Sequence, residues 1–223
     1  MATSFCALML ASAVALAAPA GADTAGREAA VAQARRAAEL LRRVELAYRH
    51  PPFRVTFVQA LDSPTFGLEE QARGTVHVVA PGRILWLYDE PRGQRAVMEP
   101  DRWLLVSPAD REVIIRERDP RRPHPVADLL AGTIDLLHLF RVSIVDEGED
   151  VVRLDLVPTE VMDDVDRVTL EVSPERAEVR SVVVTDPLGS RIVYRLGPRV
   201  PEAPLPASAL AVEIPEGYAV SRE

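Results

Sequence analysis

The chain has 223 residues, a net charge of −8, four histidines and one cysteine, Cys6. An acidic balance disfavours nucleic-acid binding, whose phosphate contacts need a basic surface. A lone cysteine rules out an internal disulfide framework and a cysteine metal site, and the length suits one domain with its own core.

Residues 1–22 carry no charged side chain. Phe5 to Ala18 is an apolar run, and Ala18-Pro19-Ala20 and Ala20-Gly21-Ala22 both fit a small-x-small cleavage site. The run is shorter than the ~20 residues a spanning helix needs. The expectation is an export leader over 1–22, removed before Asp23, although no Lys or Arg precedes the apolar run. The mature domain, 23–223, would then hold no cysteine and depend on its core alone.

Ala25 to Tyr48 predicts a helix. Ala29, Ala30, Ala34, Ala37, Ala38, Leu40, Leu41, Val44 and Ala47 recur at helical spacing, with Arg35, Arg36, Glu39, Arg42, Arg43 and Glu45 on the other sides. His50-Pro51-Pro52 ends it, because a residue before proline is pushed out of the helical region.

From Phe53 the period becomes two. Phe53, Val55, Phe57, Gln59 and Leu61 share one face, and Arg54, Thr56, Val58 and Ala60 the other. Further strands are predicted at 71–80, 83–89, 94–99, 102–107 and 111–118, joined by short turns such as Pro81-Gly82 and Pro100-Asp101. Around Pro81-Gly82, Val76 and Val78 fall on one face, as do Ile84, Trp86 and Tyr88 beyond it.

Three prolines between Pro120 and Pro125 break the pattern. Val126 to Leu139 reads as one or two short helices split near Gly132-Thr133, with their Leu and Ile residues toward the sheet. Strands return at 140–146, 150–157, 165–173, 177–185 and 190–196, and a proline-rich connector over 198–206 leads to a last strand, Leu210 to Ile214. The architecture is mainly β with some α: about eleven antiparallel strands in one long, curling sheet. Either the sheet closes into a barrel or it stays open and wraps around the helices. The pattern of residues leaves both options open.

Catalytic constellations are lacking, and the protein is read as not an enzyme. His50, His77, His124 and His138 show no metal-ligand spacing, and no cofactor motif occurs. Asp163-Asp164-Val165-Asp166 lacks the glycine and distal glutamate of a calcium loop, and Ser190 lacks the second glycine of a nucleophile elbow. The basic residues Arg116, Arg118, Arg121 and Arg122 are interleaved with Glu117 and Asp119 and read as a solvated loop flank, with a partner patch as the lesser alternative.

Gly74 to Pro91 reads G-T-x-x-x-x-x-P-G-R-x-x-W-x-Y-x-x-P, and Gln94 follows. Asp101 with Trp103, Leu104 and Pro108, then Leu154-x-Leu156-x-Pro158, Val168-x-Leu170, Asp186-x-x-Gly189-Ser190 and Ile214-Pro215-x-Gly217, come in matching order. The chain resembles the periplasmic outer-membrane lipoprotein carrier (LolA-like) family, as a divergent member. The resemblance implies the open form: an incomplete, half-barrel sheet with an N-terminal helix and short helices over its concave face. It also implies a soluble periplasmic carrier of lipoprotein acyl chains. The implied partners are acylated lipoproteins, an inner-membrane release transporter and an outer-membrane acceptor, and the carrier is expected to be a monomer.

An acyl chain needs a dry apolar surface. The candidate lining is Val55, Phe57, Val76, Val78, Ile84, Trp86 and Tyr88, with Leu129, Leu130, Leu136 and Leu137 opposite. The plain alternative is that these residues are ordinary core, since such alternation is expected of any half-buried sheet. The family has an arginine before the proline of the Pro-Gly turn, which ties the sheet to the helical lid. Here that position is Ala80, and Arg83 is the candidate substitute latch. Leu85 and Leu87 stand at outer positions that are polar in the family, and Val212 and Ile214 where aromatics are common. A sensor of the same fold, binding a lipid or an envelope protein and signalling to a membrane partner, is the alternative function. It would usually carry a further domain, which a chain ending at Glu223 does not accommodate. A hydrolase with its acids in the mouth of the sheet is a third, less favoured option.

Overall fold

The computed structural model describes residues 21–119 and 123–222. Cys6 and the first cleavage motif of the expected leader, together with Arg121 and Arg122, lie outside the described residues.

Helix α1, Gly21–Tyr48, leads into six strands: β1 Phe53–Ser63, β2 Leu68–Ala80, β3 Arg83–Glu90, β4 Arg95–Met98, β5 Arg102–Ser107 and β6 Glu112–Glu117. Two short helices follow, α2 Pro125–Leu130 and α3 Leu136–Leu139, split where the sequence predicts. Five more strands are β7 Phe140–Glu147, β8 Val152–Pro158, β9 Arg167–Ser173, β10 Glu178–Thr185 and β11 Arg191–Leu196. The chain ends with β12 Val200–Pro201, a 3₁₀ helix Ala207–Leu210 and β13 Ala219–Arg222.

These strands form one thirteen-stranded sheet in the order β13-β6-β5-β4-β3-β2-β1-β11-β10-β9-β8-β7, with β12 also paired to β1. The sheet is open and curved, with β13 and β7 as its two edges, so the open form is the one adopted. Its inner face carries the period-two set. Phe53, Val55 and Phe57 of β1, Val76 and Val78 of β2, Ile84 and Trp86 of β3, and Leu154, Leu156, Leu170, Val182 and Tyr194 from the far half join one core with the helices.

Helix α1 buries Ala37, Leu40, Leu41, Val44 and Tyr48 at three- and four-residue spacing. Its first turns differ from expectation. Ala29, Ala30 and Ala34 are exposed, because this end of the helix has little of the sheet beneath it. It is held to edge strand β7 by Gln33 Nε2 donating to the Ile144 carbonyl at 3.2 Å and by an Arg36–Glu147 ion pair. The other end is fixed more firmly. The Tyr48 hydroxyl accepts from Val179 N–H at 3.2 Å, and Arg199 donates to the Ala47 carbonyl while lying 5.0 Å from the Tyr48 ring centre.

The C-terminal segment departs from the sequence reading. The predicted strand over Leu210–Ile214 is instead the end of the 3₁₀ helix and an irregular stretch, and the closing strand is β13, paired parallel to β6. The segment crosses the outer face as a strap. Leu210 packs with Leu85, Val97 and Leu104, and Leu205 and Val212 pack beside them. The strap is anchored by His77 Nδ1 against the Glu202 carboxylate at 3.0 Å and by Arg95 donating to the Ala211 carbonyl at 2.5 Å. Leu85 is therefore apolar for a physical reason: it is the floor of a second, small core. Leu87, beyond the strap, stays exposed.

Candidate functional site: the inner wall and its helical roof

The wall is built around Gly74. In register, Gly74 lies opposite Phe57 on one side and Tyr88 on the other. A Cβ there would meet the Leu87 carbonyl oxygen at 2.0 Å, so only glycine fits. Its missing side chain lets the rings beside it close over the gap. Phe57 and Tyr88 meet edge to face at 5.2 Å, Phe57 and Trp86 at 5.0 Å, and Trp86 and Tyr194 at 6.0 Å. The result is an aromatic band across β1, β3 and β11.

Every expected lining residue falls into this one cluster. Val55, Phe57, Val76, Val78, Ile84, Trp86, Leu129, Leu130 and Leu136 are each at most 4% exposed, and Tyr88 and Leu137 are half-buried against them. Wall and roof are shut off from solvent here. Burial falls toward one rim. Along β3, Ile84 and Trp86 are buried, Tyr88 is half-buried and Glu90 is exposed. Ala72, Leu61, Val184 and Ile192 are half-buried at the same rim. They form an apolar shelf beyond the roof. Tyr194, Met98 and the β8–β10 residues were absent from the expected lining, though each alternates along its strand as legibly as Trp86 does.

Burial raises the Tyr48 phenol to about 12 and also pushes up Tyr88 and Tyr194. For Tyr88 a hydrogen bond with Gln94 opposes the shift. All three are neutral at physiological pH and serve the wall as aromatic surface.

The roof is joined to the sheet by a small polar hub. Arg118, just past β6, pairs with Asp128 of α2 and also donates to the Glu99 and Pro100 carbonyls at 3.3 and 3.2 Å. Asp128 further accepts from His124 N–H at 2.8 Å and from Thr133 Oγ1 at 3.1 Å. His124 Nδ1 caps α2 by accepting from Ala127 N–H at 3.2 Å. One member of the basic cluster read as a solvated flank, Arg118, is thus a half-buried bond between sheet and roof. Arg83, the expected latch, is exposed and opposite Ala80 across the Pro81-Gly82 turn. The turn touches the roof through Gly82 N–H, which donates to the Ala131 carbonyl at 3.3 Å. On the other side of the roof, buried Glu45 of α1 accepts from Leu136 N–H of α3 at 2.6 Å.

His50 and His138 are exposed, as are Asp163, Asp164 and Asp166 in the loop between β8 and β9. Among the described residues, no helix is long and apolar enough to cross a membrane.

The model of the family described as outer membrane lipoprotein carrier protein LolA matches residues 52–209. The chain belongs to the LolA family. An outer-membrane lipoprotein carrier protein of Chromohalobacter salexigens is 28% identical over 165 residues, covering 74% of this chain and 77% of the relative. An uncharacterized conserved protein from Thermus thermophilus superposes with a TM-score of 0.51 at 11% identity, covering 83% of this chain and 98% of the other, and shares the fold. A LolA superfamily protein from Nitrosomonas europaea has a TM-score of 0.44 at 15% identity, covering 79% and 97%. The match spans α2, α3 and the aromatic band, so the inner wall and the α2–α3 part of its roof lie within the family match, and α1 precedes it.

Two outcomes follow for the roof. Arg118→Met leaves the Asp128 carboxylate buried without its cation and is expected to destabilise by about 3 kcal/mol. Asp128→Asn added to it should restore at least half of that loss in urea unfolding. The second outcome is pH-dependent. Burial is the main cause that raises the Glu45 carboxyl above its ordinary 4.5; the Asp135 charge adds to this, while Leu136 N–H, Arg49 and Arg42 oppose it. A raised folded value means that this group's contribution is fully present below 4.5 and is lost as pH rises through the folded value. Glu45→Gln keeps an acceptor for Leu136 N–H without the charge. It should match or exceed the wild-type midpoint at pH 7, with the difference vanishing as pH falls below the ordinary carboxyl range.

Proposed function

We propose that this protein is a periplasmic carrier that shelters the acyl chains of lipoproteins against the inner wall and conveys them from the inner to the outer membrane. The observation that carries the reading is the kind of cover the wall has. A broad apolar face is roofed by α1, α2 and α3, with a half-buried apolar shelf at its rim. Such a roof can be lifted without breaking a strand ladder. Family membership supports the same reading, as does the curated relative's description as a lipoprotein carrier. The wall is made of carbon and neutral phenols, which suits holding a chain and offers no nucleophile. The proposal therefore assigns binding and transfer with no catalysis, no cofactor and a monomer. Residues 1–22 are proposed as the export leader and 23–223 as the carrier domain.

On this reading Val55, Phe57, Val76, Val78, Ile84, Trp86 and Tyr88 become the chain's wall once Leu129, Leu130, Leu136 and Leu137 move aside. Ala80 supplies no guanidinium at the Pro-Gly turn, and the Arg118–Asp128 pair serves as the polar tie of the roof. Exposed Arg83 keeps a proposed role only as a contact for the moved roof.

The test is mass spectrometry of lipid and lipoprotein co-purified from the periplasm, with two substitutions on β3. Trp86→Asp should reduce bound acyl species at least tenfold, and Leu87→Asp, on the opposite face, should leave them within twofold. A protein that is free of acyl species in both wild type and Leu87→Asp, yet captures an envelope protein, would favour the sensor instead.

A further inference from the structure

The aromatic band holds a donor with nothing to donate to. Trp86 is 4% exposed, and its indole Nε1 is buried without a hydrogen-bond partner. Buried N–H groups are nearly always paired, and an unpaired one is costly. Phenylalanine would fill an apolar wall without that cost. The indole packs against two other rings, Phe57 at 5.0 Å and Tyr194 at 6.0 Å between ring centres.

Its depth matters as well. Trp86 is two residues inside Tyr88, about 6.6 Å along the strand from the half-buried rim. A lipid entering from the shelf would keep its polar head at Tyr88 and beyond and pass its chains inward over Phe57 and Ile84. The first polar atom of each chain, its ester carbonyl, would then come near the indole.

We propose that Trp86 Nε1–H is the recognition donor for an ester carbonyl of a bound diacyl lipid, a role that rests on the carrier reading above. An ester matches this position chemically. It is neutral, so it needs no cation, and the band of Phe57, Trp86, Tyr88 and Tyr194 supplies none. It accepts without donating, so its burial leaves no second N–H unpaired. A peptide carbonyl would bring an amide N–H into a wall of ring faces. The hydrogen bond forms only when the wall is loaded, so the indole favours the loaded state over the closed one.

The experiment compares two probes on two proteins by calorimetric titration. The probes are a short-chain diester phosphatidylglycerol and its dialkyl ether analogue, which has the same head and chain length but no carbonyl. The proteins are the purified wild type and a variant with Trp86→benzothienylalanine, in which sulfur replaces N–H in a ring of nearly the same shape. The wild type should bind the diester roughly tenfold tighter than the ether, as one hydrogen bond to an otherwise orphaned donor implies. The variant should bind the two probes equally, at the affinity the wild type has for the ether. A ¹³C-labelled ester carbonyl should shift to lower infrared frequency on binding the wild type and not on binding the variant. Equal binding of both probes by the wild type, or a preference that persists in the variant, would overturn the assignment and leave the carrier reading standing. Failure of the wild type to bind either lipid would remove the carrier reading and this inference with it. Loss of lipid binding in a variant that circular dichroism shows to be unfolded is resolved by Trp86→Phe. If Trp86→Phe folds, it too should bind ester and ether equally, and a retained preference would again refute the role.

Discussion

Burial of the sheet's inner face by helices sets what the rest of the structure must do. A thirteen-stranded open sheet cannot hide its own apolar side, and in this protein the cover comes from three pieces of helix. Moving one CH₂ out of water is worth about 0.8 kcal/mol, so an acyl chain of roughly sixteen carbons carries about 13 kcal/mol of burial with it. The four roof residues Val126, Leu129, Leu130 and Leu136 stand to lose about 6–12 kcal/mol if fully uncovered. These magnitudes are close. A chain can replace the roof on the wall with little net change, which is the energetic condition for loading and for release.

Small polar contacts can then decide the balance. Arg118–Asp128, Glu45 with Leu136 N–H, and Gly82 N–H with the Ala131 carbonyl act only while the roof is down. The Arg118–Asp128 pair is worth about 3 kcal/mol and the backbone bond about 1 kcal/mol, small against the apolar exchange yet comparable with its net result. The strap on the outer face and the Tyr48–Arg199 contacts at the end of α1 serve a different end. They hold the sheet and the long helix in place, which leaves α2 and α3 as the parts that the proposed loading would move.

The sequence made part of this plain. Pro81-Gly82 flanked by Val76, Val78, Ile84, Trp86 and Tyr88 declares a hairpin with one buried wall, because strand period and turn chemistry are local properties. The break at Gly132-Thr133 is equally local; Gly132 takes φ +66 and approaches the Tyr48 carbonyl too closely for any Cβ. What stayed hidden depends on distant partners. Leu210 to Ile214 alternates like a strand, yet Leu210 answers to Leu85 and Leu104 across the outer face. Arg118 looks like one charge among several until the fold brings Asp128 to it. Ala29 and Ala34 have the right helical spacing, but spacing says which side is apolar and not whether anything lies against it. The orphan indole of Trp86 is visible only once its neighbours are known.

The central claim is that lipid displaces α2 and α3 from a wall that otherwise stays intact. Hydrogen–deuterium exchange with and without a bound diester phospholipid tests it directly. Loading should speed exchange at the amides of Gly82 and Leu136, whose bonds to the Ala131 carbonyl and the Glu45 carboxylate exist only with the roof down, and leave the β1–β2–β3 ladder as protected as before. Saturating lipid that leaves those two amides unchanged, or that loosens the ladder itself, would contradict the account.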